Sequence, residues 1–173
     1  MDGWVDSDVA THHLVKIGES ASIVHMQTKP DLKLSAKSDS VLFDGNAGSP
    51  DKNDKAYLVF STNDCDAVFQ VNNPLKLSQV SVSFFQDEDQ GIFSPQEIEV
   101  WGGLERNKME SLGKISPVPI ENGAAKSLGI INFSQRDIRF LRLRAKNIGM
   151  LPSSHPLFKK GKSMIYLDEV ALN

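Results

Sequence analysis

Alternation of apolar and polar residues with a period of two is the feature that most constrains the fold of this chain. In the segment 77–84, Val80, Val82 and Phe84 alternate with serines. Successive side chains of an extended strand point to opposite faces, so this pattern places the apolar side chains on one face and small polar ones on the other. The segment therefore predicts a half-buried β-strand.

Strand patterns recur along the whole chain. The other segments predicted as strands are 22–28, 57–61, 66–71, 97–100, 127–133, 139–145 and 163–170. Turn-forming residues separate them, for example at 44–46 and 72–74, and single helical turns are predicted only at 40–43 and 134–137. Many short strands without a sustained helical period predict an all-β sandwich or barrel.

Length and composition narrow the class of protein. A chain of 173 residues suits one domain and can bury a core without disulfides or zinc, so its single cysteine, Cys65, is interpreted as a small buried hydrophobe. The net charge of −3 disfavours nucleic-acid binding, because no basic excess is present to neutralise phosphates. No apolar run reaches the roughly 18 residues that would span a membrane, and the N-terminus lacks a signal-peptide pattern. If the chain is a piece of a larger protein, such a signal would lie upstream.

The familiar catalytic motifs are missing from the sequence. It contains neither a Gly-x-Ser-x-Gly elbow nor a phosphate-binding glycine loop nor a His-Glu-x-x-His zinc motif. The acidic run 87–89 is interpreted as a solvated turn rather than as a pair of glycosidase carboxylates. His155, in the loop 151–158, is the one histidine with a candidate functional role, since loops carry function more often than strands do. The alternative is that His155 only braces this loop through a hydrogen bond. We therefore expect a domain without enzymatic activity.

Several segments agree in order and spacing with one known family. They are 41–45 (VLFDG), 57–60 (YLVF), 66–71 (DAVFQV), 80–85 (VSVSFF), 91–102 (GIFSPQEIEVWG), 138–149 (IRFLRLRAKNIG), 151–152 (LP), 155–156 (HP) and 165–170 (IYLDEV). Together they resemble the discoidin-like (coagulation factor type C, galactose-binding-like) domain found at the C-terminus of Bacteroides-type family 20 β-N-acetylhexosaminidases, or chitobiases. The resemblance implies a jelly-roll β-sandwich over residues 12–173, with 1–11 as an N-terminal extension or linker.

A structural calcium ion is the first ligand that the resemblance implies, between the Asp-Gly loop and an acid near the last strand. Asp44, Asn46, Ser49 and Glu169 would supply hard oxygen donors of the kind that Ca²⁺ prefers, together with loop carbonyl groups. The alternative is that Asp44 and Gly45 only form a turn in which glycine supplies a positive φ.

A sugar is the second implied ligand, of N-acetylhexosamine or galactose type. Its recognition needs an aromatic face for the C–H side of the ring and a few polar groups for the hydroxyls. The candidate rings are Tyr57, Phe93, His155 and Phe158, and the candidate polar partners are Asp87, Glu88 and Asn147.

Three functions follow as alternatives. The first is a carbohydrate-binding accessory module of a glycoside hydrolase that is secreted, periplasmic or on the outer surface, with the catalytic domain as its partner in the same polypeptide. The second is a packing domain without a ligand, which is favoured because tryptophans that the family usually carries near Tyr57 and at Ser154 are absent. The third is membrane attachment through the loop 156–162, which combines two apolar residues with three lysines but is more simply interpreted as a solvated basic hairpin.

Overall fold

The computed structural model of the protein describes residues 21–120 and 123–173. Its strands are β1 (Ala21–Met26), β2 (Leu58–Ser61), β3 (Cys65–Gln86), β4 (Glu97–Gly103), β5 (Glu110–Ile115), β6 (Ala125–Lys146) and β7 (Met164–Leu172). Short 3-10 turns lie at Asp39–Phe43, Glu88–Gln90 and Phe158–Lys160. Each of the strand pairs is antiparallel. The predicted all-β class is confirmed; the predicted extension 1–11 lies outside the described residues.

The domain has two layers of strands, and the two long strands β3 and β6 each take part in both. The first part of β3, 65–70, pairs with β1 and with the end of β6, while its last part, 79–86, pairs with the start of β6 and with β7. The register of β3 against β6 shifts after Gln70 and again after Leu77. The order of the paired strands is β2-β7-β3-β6-β4-β5. Because bulges bend a strand and increase its twist, β3 and β6 leave one layer and enter the other without interruption.

The layers pack face to face around a single main core. A Cβ atom at Gly129, near the start of β6, would lie 2.8 Å from Ile115 Cδ1 of β5 and 3.0 Å from Ile98 Cδ1 of β4, which shows how closely the layers approach there. The core includes the fully buried Phe60, Val82 and the predicted buried thiol Cys65. Burial of one such large aliphatic or aromatic side chain contributes about 1.5–3 kcal/mol.

Two local predictions are wrong for a common reason. The segment 134–137, predicted as a helical turn, lies within β6, and the predicted turn 72–74 lies within β3 next to its register shift. Residues 72–74 and 133–135 have no paired partner themselves, and the paired segments on either side hold them extended across the register shifts. Within the described residues there is also no helix long and apolar enough to cross a membrane.

Candidate functional site

Two loops meet at one end of the β2–β7–β3 layer, at the start of β7: 87–96 between β3 and β4, and 147–163 between β6 and β7. A third loop, 44–57, enters β2 opposite Leu167 of β7 and contacts the loop 87–96 through Lys52 and Gln90. Backbone hydrogen bonds join the loop 87–96 to the start of β7: the N–H of Phe93 donates to the carbonyl of Met164 at 2.8 Å, and the N–H of Met164 donates to that of Gly91 at 2.9 Å. The loops therefore sit on a rigid sheet edge, the usual placement for a binding site.

His155 is the centre of the predicted ligand residues. Its Nε2–H donates to the backbone carbonyl of Glu88 at 2.7 Å, and its Nδ1 accepts the N–H of Leu157 at 3.0 Å. These two bonds fix the Nε2-protonated neutral tautomer. The ring of Phe93 lies beside it, with the ring centroids 5.6 Å apart. The imidazole therefore braces the loops, and Phe93 packs against it while remaining half-exposed.

The other ligand candidates divide into exposed and buried groups. Phe158 is 43% exposed, and its N–H donates to the carbonyl of His155, so the two belong to one turn. Asp87 and Glu88 are half-buried beside this turn. Four predicted residues, Glu88, Phe93, His155 and Phe158, thus form one contiguous surface, which we call the Phe93–His155 surface.

The structure corrects the predictions for Tyr57 and Asn147. Tyr57 is fully buried: its ring packs against Phe85 and Tyr166, and its hydroxyl donates to the carbonyl of Ser49, which leaves no face for a sugar. Burial, followed by the charge of Asp168, raises the pKa of the Tyr57 phenol well above its usual value. The pattern Tyr-Leu-Val-Phe is apolar on both faces and so already indicated a strand covered on both sides.

Asn147 is buried too, and its side chain is fully used. Its Nδ2 donates to the carbonyl of Phe60 at 3.0 Å, and its Oδ1 accepts the N–H of Gly149 and the hydroxyl of Ser163. The amide closes the start of the β6–β7 loop and is not available to a ligand.

Two of the four predicted metal ligands come together around the Asp-Gly loop. The N–H of Gly45 donates to Glu169 Oε2 at 3.0 Å, and Asp44 Oδ1 accepts the N–H of Asn46 at 2.8 Å. Burial raises the pKa of Glu169 to about 7, and the charges of Asp44 and Asp168 add to this rise. Ser49 is engaged elsewhere, since both its N–H and its hydroxyl donate to Asp54 Oδ2 at 2.7 Å.

These residues fit a calcium ion only in part. Among residues 21–120 and 123–173, no three His, Cys, Asp or Glu side chains form a metal cluster. Ca²⁺ also accepts carbonyl and amide oxygens, so a site here would combine Asp44 and Glu169 with oxygens of the loop 44–49. The two crowded carboxylates favour a cation, because a nearby positive charge would stabilise their ionised forms.

Sequence reasoning missed a buried ion pair behind this loop. Asp168 is completely buried, and its Oδ2 accepts the N–H of Gly48 at 2.7 Å and pairs with the ammonium of Lys126. It lies where the register of β7 against β3 shifts between Ser83 and Phe84. An acidic residue directly after the apolar run 164–167 was the available signal, because a fully buried carboxylate requires a partner.

Comparison with known proteins identifies the fold. No protein-family model and no curated protein matches the sequence. A fragment of a candidate chitobiase from Bacteroides thetaiotaomicron superposes with a TM-score of 0.64 at 10% identity, covering 96% of this chain and 95% of that one. The C-terminal domain of a chitobiase from Bacteroides fragilis gives a TM-score of 0.55 at 12% identity over 90% and 94% of the two chains.

A ligand-bound structure belongs to the same group. A family 32 carbohydrate-binding module from Clostridium perfringens, in complex with GalNAc-β-1,3-galactose, matches with a TM-score of 0.50 at 10% identity, over 92% of this chain and 97% of that one. The chain therefore has the discoidin-like β-sandwich fold of family 32 carbohydrate-binding modules and of chitobiase C-terminal domains.

Proposed function

We propose that this domain is a non-catalytic carbohydrate-binding module of a secreted glycoside hydrolase and that it binds a sugar on the Phe93–His155 surface. The observation that carries the proposal is the half-exposed ring of Phe93, held beside His155, whose two ring nitrogens are both fixed by backbone groups. Solved domains of this fold include the C-terminal domain of a chitobiase and, separately, a family 32 carbohydrate-binding module from Clostridium perfringens in complex with GalNAc-β-1,3-galactose.

The surface has the chemistry that a sugar requires. Phe93 and the more exposed Phe158 offer apolar rings for the C–H face of a pyranose, and the carboxylates of Asp87 and Glu88 accept hydrogen bonds from its hydroxyls. The backbone bonds of His155 fix the loops before a ligand arrives, which lowers the entropic cost of binding.

The benefit to a parent enzyme would come from proximity. A second weak contact with the same glycan raises the effective concentration of the catalytic domain at its substrate, even when the module alone binds only in the millimolar range.

Titration of the isolated domain by NMR tests the proposal, with N-acetylglucosamine, N-acetylgalactosamine, galactose and chitobiose as ligands. We expect saturable shifts in the loops 87–96 and 150–161 and weaker binding by the Phe93→Ala variant. Phe140→Ala is a matched control, because Phe140 is also half-exposed but lies within β6, opposite Gln70 of β3 and Gly103 of β4 and away from these loops. Absence of binding at high millimolar concentration, or equal losses in both variants, would contradict the proposal.

We further propose that Asp44 and Glu169, with oxygens of the loop 44–49, bind a structural calcium ion. The raised pKa of Glu169 and the neighbouring Asp44 support it. Calcium is expected to raise the Tm of the wild-type domain and to leave that of a Glu169→Gln variant nearly unchanged. A Tm that chelator and calcium leave unaltered would contradict this site.

One observation favours a packing role as a second candidate. Leu128 and Ile130 lie on one face of β6 and are 57% and 43% exposed, although neighbouring Gly129 and Ile131 are buried. A neighbouring domain of the parent protein would cover these side chains. Leu128→Ser with Ile130→Ser should then weaken association with that domain without changing sugar binding; unaltered association would exclude this role.

A further inference from the structure

A second groove, away from the Phe93–His155 surface, is lined by both basic and apolar side chains. It has a volume of about 520 Å³, which is within the usual range of about 300–1,000 Å³ for small-molecule sites. Three ammonium-bearing side chains, Lys33, Lys37 and Lys55, line it together with the apolar Leu32 and Val41. We call it the lysine groove.

The wall of the groove is fixed to the sheet edge. The segment that carries Lys33 and Lys37 runs beside β2: the N–H of Asp31 donates to the carbonyl of Val59, and the N–H of Ala36 donates to that of Tyr57, both at 2.7 Å. The ammonium of Lys55 donates to the carbonyls of Lys33 and Leu34 at 2.9 and 3.2 Å, which ties the two walls together.

The positive charge of the groove is not neutralised by the described part of the chain. None of its three lysines forms an ion pair there, whereas Lys108, Lys114 and Lys126 elsewhere do. This local excess contrasts with the net charge of −3 for the whole chain.

Three acids lie near the groove lysines in sequence, Asp31, Asp39 and Asp54, and in the described part of the chain none of their carboxylates forms an ion pair with Lys33, Lys37 or Lys55. Asp31 accepts the backbone N–H of Lys33 and the hydroxyl of Ser61, both at 3.1 Å. Asp54 accepts hydrogen bonds from the N–H and hydroxyl of Ser49 and from the N–H of Ala56, and the bonds from Ser49 lower the pKa of Asp54. No carboxylate lines the groove itself.

The lysine groove also lies near the loop 87–96. Lys52, in the same loop as Lys55, contacts the side-chain amide of Gln90, which belongs to the 3-10 turn that begins with Glu88. The loop that carries Lys52 and Lys55 therefore lies between the Phe93–His155 surface and the lysine groove. A glycan chain bound at that surface would need to cross only this loop to reach the groove.

We propose that the lysine groove binds the anionic group of an acidic sugar, a carboxylate or sulfate carried on a pyranose ring. The apolar side chains of Leu32 and Val41 suit the C–H face of the ring, and the ammonium groups pair with the anion. The inference extends the proposed function, because it assigns the module to acidic glycans. It rests on that function, which is the reason to propose an anion carried on a sugar rather than another kind of anion.

Calorimetric titration with a galacturonate trisaccharide and with N-acetylglucosamine 6-sulfate tests the inference, and these two probes distinguish carboxylate from sulfate. The test variant is Lys33→Gln with Lys37→Gln, which keeps the fold of an exposed loop. The matched control is Lys108→Gln with Lys114→Gln, which makes the same change in net charge at residues outside the groove. We expect at least about tenfold weaker binding in the test variant, little change in the control, and weaker wild-type binding at high salt.

Three other results overturn the inference. Equal losses in both variants would show a general effect of net charge. Binding of N-acetylgalactosamine without binding of either acidic probe would refute the lysine groove and leave the proposed function intact. Lysine-dependent binding to vesicles of phosphatidylserine and phosphatidylcholine, without binding to the acidic sugars, would assign the groove to a lipid headgroup. Conversely, lysine-dependent binding of an acidic probe with no neutral sugar bound supports the groove and contradicts only the Phe93–His155 surface.

Discussion

Lys126 on β6 reaches across β3 to pair with the fully buried carboxylate of Asp168 on β7. Its ammonium also lies 4.9 Å from the ring centroid of Tyr57, so one cation contacts both a buried anion and an aromatic face. The N–H of Gly48 binds the same carboxylate. This network joins the loop 44–57 to the sheet and buries Tyr57 beneath that loop.

Removal of the lysine charge should destabilise the domain. We expect Lys126→Met to lower the free energy of unfolding by about 3 kcal/mol, because it leaves the buried carboxylate of Asp168 without a counter-ion. Lys114→Met is the control, since its pair with Glu97 is exposed and contributes about 0–1 kcal/mol. Urea denaturation measures both; similar small losses would contradict the structural role of the pair.

Gly48 should tolerate no side chain while Tyr57 is present. An added Cβ would lie 2.6 Å from Tyr57 Cζ, closer than such contacts allow, so Gly48→Ala should cost about 1–3 kcal/mol. In a Tyr57→Leu background the shorter side chain removes this clash, and the same substitution should cost much less. Thermal or urea unfolding of the four proteins gives the coupling energy, and additive losses would show that the two residues do not meet.

Glu169 should make stability depend on pH. Its pKa is raised from 4.5 to about 7 in the folded protein, so between these values the folded state binds more protons than the unfolded state. Stability therefore falls as the pH rises through this window. In the presence of chelator, wild type should lose stability relative to Glu169→Gln between pH 5 and 8. Parallel pH profiles would show that Glu169 titrates normally.

Substitutions of Tyr57 and Phe93 should have different effects, one on stability and the other on sugar binding. Tyr57→Phe removes the hydroxyl that donates to Ser49 and should cost about 1 kcal/mol of stability without changing sugar affinity. Phe93→Ala should weaken sugar binding at the half-exposed surface. Chemical denaturation and NMR titration of both variants check this assignment. If the Tyr57→Phe variant keeps its fold but binds sugar more weakly, Tyr57 belongs to the binding site after all.

Most of the strands could be predicted because their signal is local. The alternation of Val80, Val82 and Phe84 places three apolar side chains on one face whatever the neighbouring strands are, and all three are buried. The 3-10 turn at Asp39–Phe43 likewise corresponds to the predicted turn 40–43, and Ser38 caps it by accepting the N–H of Ser40. Such features depend on residues only a few positions apart.

Contacts between distant segments decided the rest. Four predicted strands, 66–71, 77–84, 127–133 and 139–145, became parts of the two continuous 22-residue strands β3 and β6, because paired segments on either side hold the chain extended between them.

The candidate site shows the same division. The sequence determined that Tyr57 lies at a strand with apolar residues on both faces, but only the packing of Gly48 and Lys126 around its ring decided that it is core rather than ligand surface. Likewise His155 and Glu88 are 67 residues apart, so their hydrogen bond exists only after β7 has brought the two loops together. Side-chain type and local pattern are properties of the sequence, whereas exposure is decided by the segments that fold over each residue.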